Sequence, residues 1–171
     1  VILATGGRSL PRTGSDGLGY EISRSLGHTV TPTFPALVPL VLRAGHWALA
    51  LSGLTVHATL ELRGGTGKRL VSFTDSTLLT HFGLSGPGVL QISSYWQEGT
   101  PIRLNLAPGT DIAAHLNQAK ATSRKLIANE LAGLVPSRLA DTWVAQGAAL
   151  GHNWQRPVNE ASDKALAALA E

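Results

Sequence analysis

One glycine-rich segment, Gly83-Leu84-Ser85-Gly86-Pro87, carries the residues of this chain with the clearest chemical potential. Serine between glycines follows the nucleophile pattern Gly-x-Ser-x-Gly up to its last position, where Pro87 stands instead of glycine. A hydrolytic triad would also need a histidine base and a carboxylate to orient it. The candidates for these two roles are His81, His152, Asp75 and Asp141. Because the pattern is incomplete, hydrolysis by Ser85 is one alternative, and a structural turn beside a hydrogen-bonded His81 is the other.

A second glycine-rich turn, Thr5-Gly6-Gly7, could bind a ligand through its backbone. Glycine has no Cβ, so the chain can pass very close to a bound group at such a turn. Residues 1–4 are apolar or small and predict a buried strand. Ser15 or Asp16 can cap a helix that ends near Gly27, and the N-terminus of such a helix favours anions such as phosphate. The same pattern fits any βα unit, and both interpretations remain open.

Familiar phosphate-binding motifs are incomplete in this sequence. Gly67-Lys68 resembles the end of a P-loop, but Leu62 and Arg69 occupy positions that require glycine and a hydroxyl residue. Gly17-Leu18-Gly19 would need glycine at Ile22 to form the dinucleotide fingerprint. The segment that contains Gly67-Lys68 therefore predicts a hairpin turn.

The sequence gives no indication of a metal site. Cysteine is absent, which excludes thiolate ligands, cysteine nucleophiles and disulfides. The histidines never recur at the close spacing of a metal-binding pair on a helix or a hairpin. The carboxylates are too sparse and scattered to suggest a catalytic pair. No metal is expected.

The composition is that of an ordinary globular protein. Hydrophobic residues make up 43% of the chain, enough for one good core or two small ones. No apolar run approaches the roughly 20 residues of a membrane span, and no signal peptide is recognisable. The net charge of +3 comes from scattered basic residues with few aromatic neighbours, which argues against a nucleic-acid surface. We therefore expect a cytoplasmic protein with no membrane or nucleic-acid partner.

Residues 30–108 have the pattern of a mainly antiparallel sheet. The clearest strand is 54–62, where apolar and polar residues alternate, and the glycines of 64–67 predict a hairpin turn after it. Prolines restrict the preceding apolar run to an edge or bulged strand. Segment 83–88 is too rich in glycine and proline to be regular, and a helix should begin near Pro87. Extended segments are predicted at 36–42, 54–62, 68–74, 76–82 and 102–106.

From residue 109 the pattern becomes helical, with Pro136 near the start of the third helix and Asn159 or Ser162 able to cap the fourth. The helices are predicted at 111–121, 123–134, 137–149 and 159–170. The predicted fold class is α+β, with a barrel-like, mainly antiparallel β subdomain followed by a small helical subdomain. The predicted parts are 1–29, a βα unit, 30–108, a β subdomain with one helix, and 109–171, the helical subdomain.

Four stretches of this chain occur in an order that indicates a known family. They are Ala4-Thr5-Gly6-Gly7, Gly14-Ser15-Asp16-Gly17-Leu18-Gly19-Tyr20, Pro35-Ala36-Leu37-Val38-Pro39-Leu40 and Thr80-His81-Phe82-Gly83-Leu84-Ser85-Gly86-Pro87. In that order they resemble the middle of bacterial NAD(P)/FAD-dependent oxidoreductases, the aminoacetone oxidase-like flavoproteins. The resemblance covers most of residues 1–95 and continues more weakly into the helices. Each motif alone is weak, whereas the ordered set is fairly specific.

The resemblance implies an FAD-binding domain formed by the two ends of a longer chain, with a β and a helical subdomain inserted between them. Residues 1–29 would be a remnant of that FAD-binding domain, with Thr5, Gly6 and Gly7 against FAD, and 30–108 would be the inserted β subdomain. The turn Gly83-Leu84-Ser85-Gly86-Pro87 would lie in the inserted region, facing flavin and substrate. Gly88 departs from the family, where alanine is usual, a change that should be mild. NAD(P)H is a candidate co-substrate, while the flavin performs the redox chemistry.

The fingerprint for the FAD pyrophosphate and the returning strand of that cofactor domain are not found in these 171 residues. With no methionine and a strand-like start, the chain is expected to be a piece of a larger protein. It would be chiefly the inserted substrate or cap region, catalytically silent and without FAD by itself. Its partners would be the rest of the FAD-binding domain and a small-molecule substrate of unknown identity. An interaction or oligomerisation module within a flavoprotein is the alternative.

Overall fold

A computed structural model describes residues 1–170. The chain forms two compact units, Val1–Pro35 and the residues from Ala36 onward.

The first unit is built around helix α1, Leu18–Ser25. Asp16 Oδ1 accepts a hydrogen bond from the Leu18 amide at 3.0 Å, but the N-cap is Gly17 and no side chain caps this helix, so the predicted cap by Ser15 or Asp16 is wrong. After the helix, Gly27 adopts a φ of 83°. The amide of His28 donates to the carbonyl of Ser23 at 3.0 Å, which completes a left-handed C-terminal cap. The predicted helix and its C-terminal end at Gly27 are therefore present.

The strand predicted at residues 1–4 does not form among the described residues. Residues 1–7 form no strand pairing within the described chain. The side chains of Val1 and Ile2 are exposed. A run of apolar residues favours an extended backbone, but a strand also requires a hydrogen-bonded neighbour. Residues 1–170 supply no such neighbour to this segment.

The second unit contains a five-stranded antiparallel sheet. Its strands are β1, Leu40–Val41, β2, Thr55–Arg63, β3, Arg69–Leu79, β4, Gly83–Ser85, and β5, Ile102–Asn105. They lie in the order β1-β4-β3-β2-β5, so β1 and β5 are the two edges. The predicted α+β class with a mainly antiparallel sheet is confirmed.

Strand β2 forms the centre of the core because its alternating pattern buries one face. Val56, Ala58, Leu60 and Leu62 are all at most 5% exposed, as the alternation predicts. On the β5 side, Leu60 pairs with Leu104, which extends the apolar face across the sheet.

Strand β3 differs from its prediction. The sequence indicated separate extended segments on the two sides of Asp75, but the structure has one strand across that position. Asp75 disfavours a strand by propensity, yet it pairs with Ala58 in the long neighbouring strand, and its Oδ1 accepts from the Ser76 amide at 2.7 Å. Pairing of β3 with nearly the whole of β2 therefore outweighs the low strand propensity of Asp75.

Strand β4 also corrects the prediction that all of segment 83–88 is irregular. Gly83 pairs with Val41 and Ser85 with Leu78, so a short strand lies between β1 and β3. A Cβ at Gly83 would meet the carbonyl oxygen of Leu40. Glycine at position 83 lets the backbones of β1 and β4 approach each other. The sequence alone does not reveal that these two strands are neighbours.

The proline-rich run before the sheet contributes only the two-residue edge strand β1, in agreement with the prediction. A short 3-10 helix follows at Trp47–Leu51. His46 Nδ1 caps it by accepting a hydrogen bond from the Ala48 amide at 3.2 Å. The first residues of this helix lie next to the cavity described below.

Helices account for the rest of the second unit. They are α2, Pro87–Ser93, α3, Ile112–Thr122, α4, Ile127–Leu131, α5, Ser137–Ala145, and α6, Asp163–Ala170. Helix α2 begins at Pro87 as predicted, and Ser162 Oγ caps the last helix by accepting from the Ala165 amide at 3.2 Å. No helix within residues 1–170 has both the length and the apolar character that a bilayer crossing requires.

Helix α4 begins four residues later than the predicted segment 123–134. The amide of Val158 donates to the carbonyl of Lys125 at 2.9 Å, and the amide of Ile127 donates to the carbonyl of Arg156 at 3.1 Å. The segment before α4 therefore pairs with a distant part of the chain instead of joining a helix. Helix α5 is also shorter than predicted, because a 3-10 helix replaces it from Gln146.

Trp154 anchors the helical part of the core. Its side chain is 2% exposed, and Nε1 donates to the carbonyl of Ala165 at 2.9 Å. The ring stacks on His152 with centroids 5.4 Å apart. A Cβ at Gly147 would lie 2.9 Å from the indole, so this glycine gives the ring its space.

Glu61 lies among arginine side chains on the polar face of β2. Its carboxylate accepts from Arg63 Nη2 at 2.6 Å and Nε at 3.2 Å, and from Arg69 Nη1 at 3.5 Å. The hydrogen bond from Arg63 is the largest cause that holds the pKa of Glu61 below its usual value. Partial burial opposes this effect, and the charges of both arginines add to it.

We expect Glu61 to make stability depend on pH in the acid range. Because its pKa is lower in the folded than in the unfolded protein, its contribution is complete above the unfolded value of 4.5. It is lost as the pH falls through the folded pKa. Between about pH 5.5 and about pH 3, the midpoint of urea unfolding should therefore fall less in Glu61→Gln than in the wild type. An equal fall in both proteins would contradict this assignment.

Candidate functional site

The turn between β3 and β4 is held by a threonine hydroxyl. Thr80 Oγ1 accepts from the Gly83 amide and donates to the Gly83 carbonyl, each at 3.0 Å. The Thr80 amide donates to the same carbonyl at 2.7 Å. Ser85 then lies at the end of β4, immediately before the glycine and proline that start α2. The predicted site residues Gly83, Leu84, Ser85, Gly86 and Pro87 therefore form one strand, turn and helix start.

Gly86 makes this strand-to-helix connection possible. Its φ of 93° lies in a region that L side chains rarely adopt. A Cβ at this position would lie 2.8 Å from the carbonyl oxygen of Ser76 and 3.0 Å from the nitrogen of Leu78. The Gly86 carbonyl accepts from the Leu90 amide at 2.9 Å, the first hydrogen bond of α2. The segment thus runs tightly against β3, and its two glycines are explained by backbone geometry.

His81 and Ser85 belong to the same turn region but are not hydrogen bonded to each other. His81 is exposed, and its ring meets Phe82 edge to face at 4.9 Å. No hydrogen bond joins Ser85 to a histidine anywhere in the part of the chain that the structure describes. Their catalytic roles stay predictions.

The other members of the hypothetical triad have partners of their own. Asp75 accepts from its neighbour Ser76 and from Gln91 Nε2 at 3.5 Å. Asp141 is exposed on α5, and His152 stacks on Trp154. Hydrogen bonding within residues 1–170 therefore does not assemble a Ser-His-Asp triad.

The turn Thr5-Gly6-Gly7 in the first unit offers unpaired backbone donors. Thr5 and Gly6 are exposed, and Gly6 has a φ of 72°. The amides of all three residues make no hydrogen bond within residues 1–170. On one side the turn meets α1, because a Cβ at Gly19 would collide with Thr5 Oγ1 and one at Gly7 would lie 3.4 Å from Tyr20 Oη. The turn can therefore donate to a polar ligand on its open side.

One concave feature of the second unit was not anticipated from the sequence. A cavity of about 1020 Å³ is lined by residues of β3, β4 and β5, of the segment 42–48 and of helices α3, α5 and α6. Its walls include Leu42, Trp47, Leu84, Leu104, Trp143 and Ala167. His46, Thr77, Asn105 and Asp111 add polar groups. The only signal available beforehand was the alternation of β3, which puts Thr77 on the same face as Leu79.

The cavity and both turns lack a cluster that could hold a metal. Within residues 1–170, no group of three or more histidine, aspartate or glutamate side chains is arranged for metal binding. The cavity wall offers a ligand apolar surface together with neutral polar groups and the charged side chains of Arg103 and Asp111.

Comparison with known proteins adds a family to this geometry. Residues 34–171 match the family described as "HI0933-like protein barrel and H2TH domain". A "Ribosomal RNA dihydrouridine synthase" of Haemophilus influenzae is 38% identical over 149 residues, which cover 86% of this chain and 36% of that protein. A protein of the same name from Escherichia coli is 40% identical over 147 residues, with 82% and 35% covered.

A relative with a different name shares a shorter region. The "3-dehydro-bile acid delta(4,6)-reductase" of Clostridium scindens is 39% identical over 99 residues, which cover 58% of this chain and 24% of that protein. The chain thus spans about a third of the length of the two synthases, and less of the reductase.

Proposed function

We propose that the chain, which belongs to the HI0933-like family of FAD-dependent oxidoreductases, is part of an enzyme that reduces a conjugated carbon–carbon double bond. The names of the relatives carry this proposal. A dihydrouridine synthase adds two hydrogens to uridine, and a delta(4,6)-reductase is named for the double bonds that it reduces. Both names describe the addition of a hydride and a proton to an unsaturated ring.

Uridine in ribosomal RNA is the substrate that we propose. Two relatives that carry this substrate in their name align with 86% and 82% of the chain, whereas the bile acid reductase aligns with 58%. The scattered basic residues predicted no nucleic-acid partner, and that expectation stays untested. The present proposal departs from it because of the relatives.

The turn Thr5-Gly6-Gly7 fits the role of an FAD contact. Its amides are unpaired within residues 1–170, its open side is exposed, and Gly6 supplies the turn with a positive φ. Backbone amides at a turn of this kind bind negatively charged or carbonyl oxygens. FAD, reduced by NAD(P)H, would supply the hydride. The roles that remain for this chain are to position the substrate and to supply the proton.

The turn from Gly83 to Pro87 is the part of the chain that we assign to the substrate. Hydride addition to the β-carbon of a double bond conjugated with a carbonyl places negative charge on the carbonyl oxygen, which a hydrogen-bond donor stabilises. Ser85 Oγ makes no hydrogen bond within the described residues and can serve as that donor. His81 is exposed two residues before the turn, where its imidazole can donate the proton to carbon.

The test uses a full-length protein that contains this chain, together with FAD and NADPH or NADH. Ribosomal RNA without dihydrouridine and a 3-oxo-4,6-diene bile acid are offered separately. We expect dihydrouridine in the RNA, detected by mass spectrometry of its nucleosides, and no reduced bile acid. Reduction of the bile acid alone would support the reaction but reject RNA as the substrate. Reduction of neither compound, with the flavin bound, would reject the proposed function.

A further inference from the structure

We propose that the polar face of the sheet, at the hairpin between β2 and β3, binds the phosphate backbone of RNA. This basic face consists of Arg63, Arg69 and Arg103, which lie on three neighbouring strands around Glu61, and of Lys68 in the hairpin turn. The choice of RNA as the partner rests on the proposed function. The surface itself is argued from charge, exposure and position in the sheet.

The register of the sheet brings these basic residues together, although Arg103 lies far from the others in sequence. Arg63 of β2 pairs with Arg69 of β3, and Arg103 of β5 lies opposite Glu61 of β2. Residues that pair directly have their side chains on the same face, with Cα atoms about 4.5 to 5.5 Å apart. Because β5 is an edge strand, Arg103 borders both the cavity and the polar face. Charges that are scattered in the sequence therefore meet at one end of the sheet.

The basic face has an excess of positive charge that the fold leaves available. Glu61 is the one acidic residue that the described strands place on this face. Four cationic side chains against this one carboxylate give a net charge of +3, equal to that of the whole chain. Arg63 and Arg69 are paired with Glu61 at 2.6 Å and 3.5 Å. Lys68 and Arg103 are exposed and form no ion pair within the described residues, so their charges can meet an anion.

The polar face is open to solvent, and its chemistry suits phosphate groups. Helix α2 packs on the opposite, apolar face, where a Cβ at Gly88 would lie 2.8 Å from Leu60 Cδ1. On the polar face, Thr74 and Asn105 are exposed beside the cations. The described strands place no phenylalanine, tyrosine or tryptophan there, so bases have no aromatic surface on which to stack. Cations and neutral hydrogen-bonding groups are typical of contacts to phosphate and sugar.

The hairpin lies at the end of β3 that is remote from the turn assigned to the substrate. A Cβ at Gly65 or Gly67 would meet no atom within 4 Å, so the hairpin turn extends into open space. Strand β3 then runs from Arg69 to Leu79, about 30 Å at the rise of an extended strand, before the chain reaches residues 83–87. RNA on the basic face is therefore held through nucleotides far from the uridine, and this contact affects affinity without taking part in the reaction.

The test measures binding of ribosomal RNA without dihydrouridine to a full-length protein that contains this chain, with no NADPH or NADH present. The double variant Lys68→Gln/Arg103→Gln is compared with the wild type over a range of salt concentrations. Each phosphate contact adds roughly 0.7 to 0.9 to the slope of log affinity against log salt concentration. We therefore expect the slope to become shallower by about 1.5 to 2, and affinity near about 0.1 M salt to fall about tenfold or more.

Arg43→Gln/Arg124→Gln is the matched control. Both arginines are exposed and lie outside the basic face, so this variant removes the same charge elsewhere on the chain. We expect it to keep the wild-type slope. The proposal is overturned if the wild type does not bind the RNA, if Lys68→Gln/Arg103→Gln keeps the wild-type slope, or if the two double variants lose affinity equally.

The outcome is separable from that of the proposed reaction. Dihydrouridine formation is measured in parallel with NADPH or NADH and saturating RNA, where Lys68→Gln/Arg103→Gln should retain the wild-type kcat and raise KM. Dihydrouridine formation with unchanged RNA binding in this variant would reject the basic face and keep the reaction. RNA binding that depends on Lys68 and Arg103, without any dihydrouridine, would reject the reaction and keep the basic face.

Discussion

Replacement of Gly86 by alanine is expected to lower the free energy of unfolding by about 3 kcal/mol or more. Two costs add at this position. The φ of 93° and ψ of 167° lie in a region almost confined to glycine, which costs any residue with a Cβ about 1 to 3 kcal/mol. The new Cβ would also lie 2.8 Å from the Ser76 carbonyl oxygen. That atom belongs to the backbone of β3, which is paired with β2, so it cannot move away without loss of ladder hydrogen bonds.

Gly109 provides the matched control. Its φ is 82°, but a Cβ there would meet no atom within 4 Å. Gly109→Ala therefore introduces backbone strain without a steric contact. We expect the free energy of unfolding to fall by about 1 kcal/mol. Both variants are compared with the wild type by urea unfolding followed by circular dichroism. Equal losses in the two variants would show that the contact with β3 is not what requires glycine at position 86.

Trp154→Ala is expected to cost about 3 to 5 kcal/mol, the range for removing a large buried aromatic side chain. The indole is 2% exposed, and its hydrogen bond to the Ala165 carbonyl connects it to α6. The substitution leaves a cavity beside Gly147 and an unpaired carbonyl. We therefore expect the helical part of the unit to lose protection against hydrogen exchange before the sheet does.

Trp96 is the control for this prediction. Its Nε1 also donates to a backbone carbonyl, that of Thr100, at 2.8 Å, but the residue is 37% exposed. Trp96→Ala should cost about two thirds as much as Trp154→Ala or less, because the smaller buried part of its side chain means that less apolar surface is lost from the interior. Thermal and urea unfolding of both variants measure the difference. Similar losses would mean that the hydrogen bond, and not burial, accounts for the effect.

Local patterns were sufficient where one residue type determines the geometry. The alternation of 54–62 predicted the buried face of β2, and Pro87 and Ser162 predicted helix starts that the structure contains. The resemblance to FAD-dependent oxidoreductases, drawn from four short stretches, is confirmed as membership of that family. In each case the information lies within a few neighbouring residues.

Local patterns failed where a distant segment decides the outcome. The continuity of β3 through Asp75 depends on β2, and the late start of α4 depends on backbone bonds to Arg156 and Val158. Residues 1–4 have the composition of a strand but no neighbour to pair with among the residues that the structure describes. The cavity could not be predicted either, because its walls come from strands and helices that are far apart in sequence.

The cavity residues also show why the candidate site was only partly visible. Glycine-rich turns can be recognised in a sequence, and both turns were identified in this way. The roles of Thr5, Gly6, Gly7, His81 and Ser85 stay predictions. A threonine such as Thr77 in a strand is unremarkable until its neighbours are known. The lack of a hydrogen-bond partner for its buried hydroxyl within the described residues is a property of the folded chain alone.

The order of the strands carries a consequence for chain entropy. Strands β2 and β3 pair across a turn of about five residues, whereas β5 reaches β2 only after roughly 40 residues of intervening chain, so its closure costs about 2 kcal/mol more. No tight turn helps to offset that difference at the β5 edge. The contacts of Leu104 with Leu60 and of Ile102 with Leu62 must offset it, so side-chain burial, more than chain connectivity, keeps this edge in place.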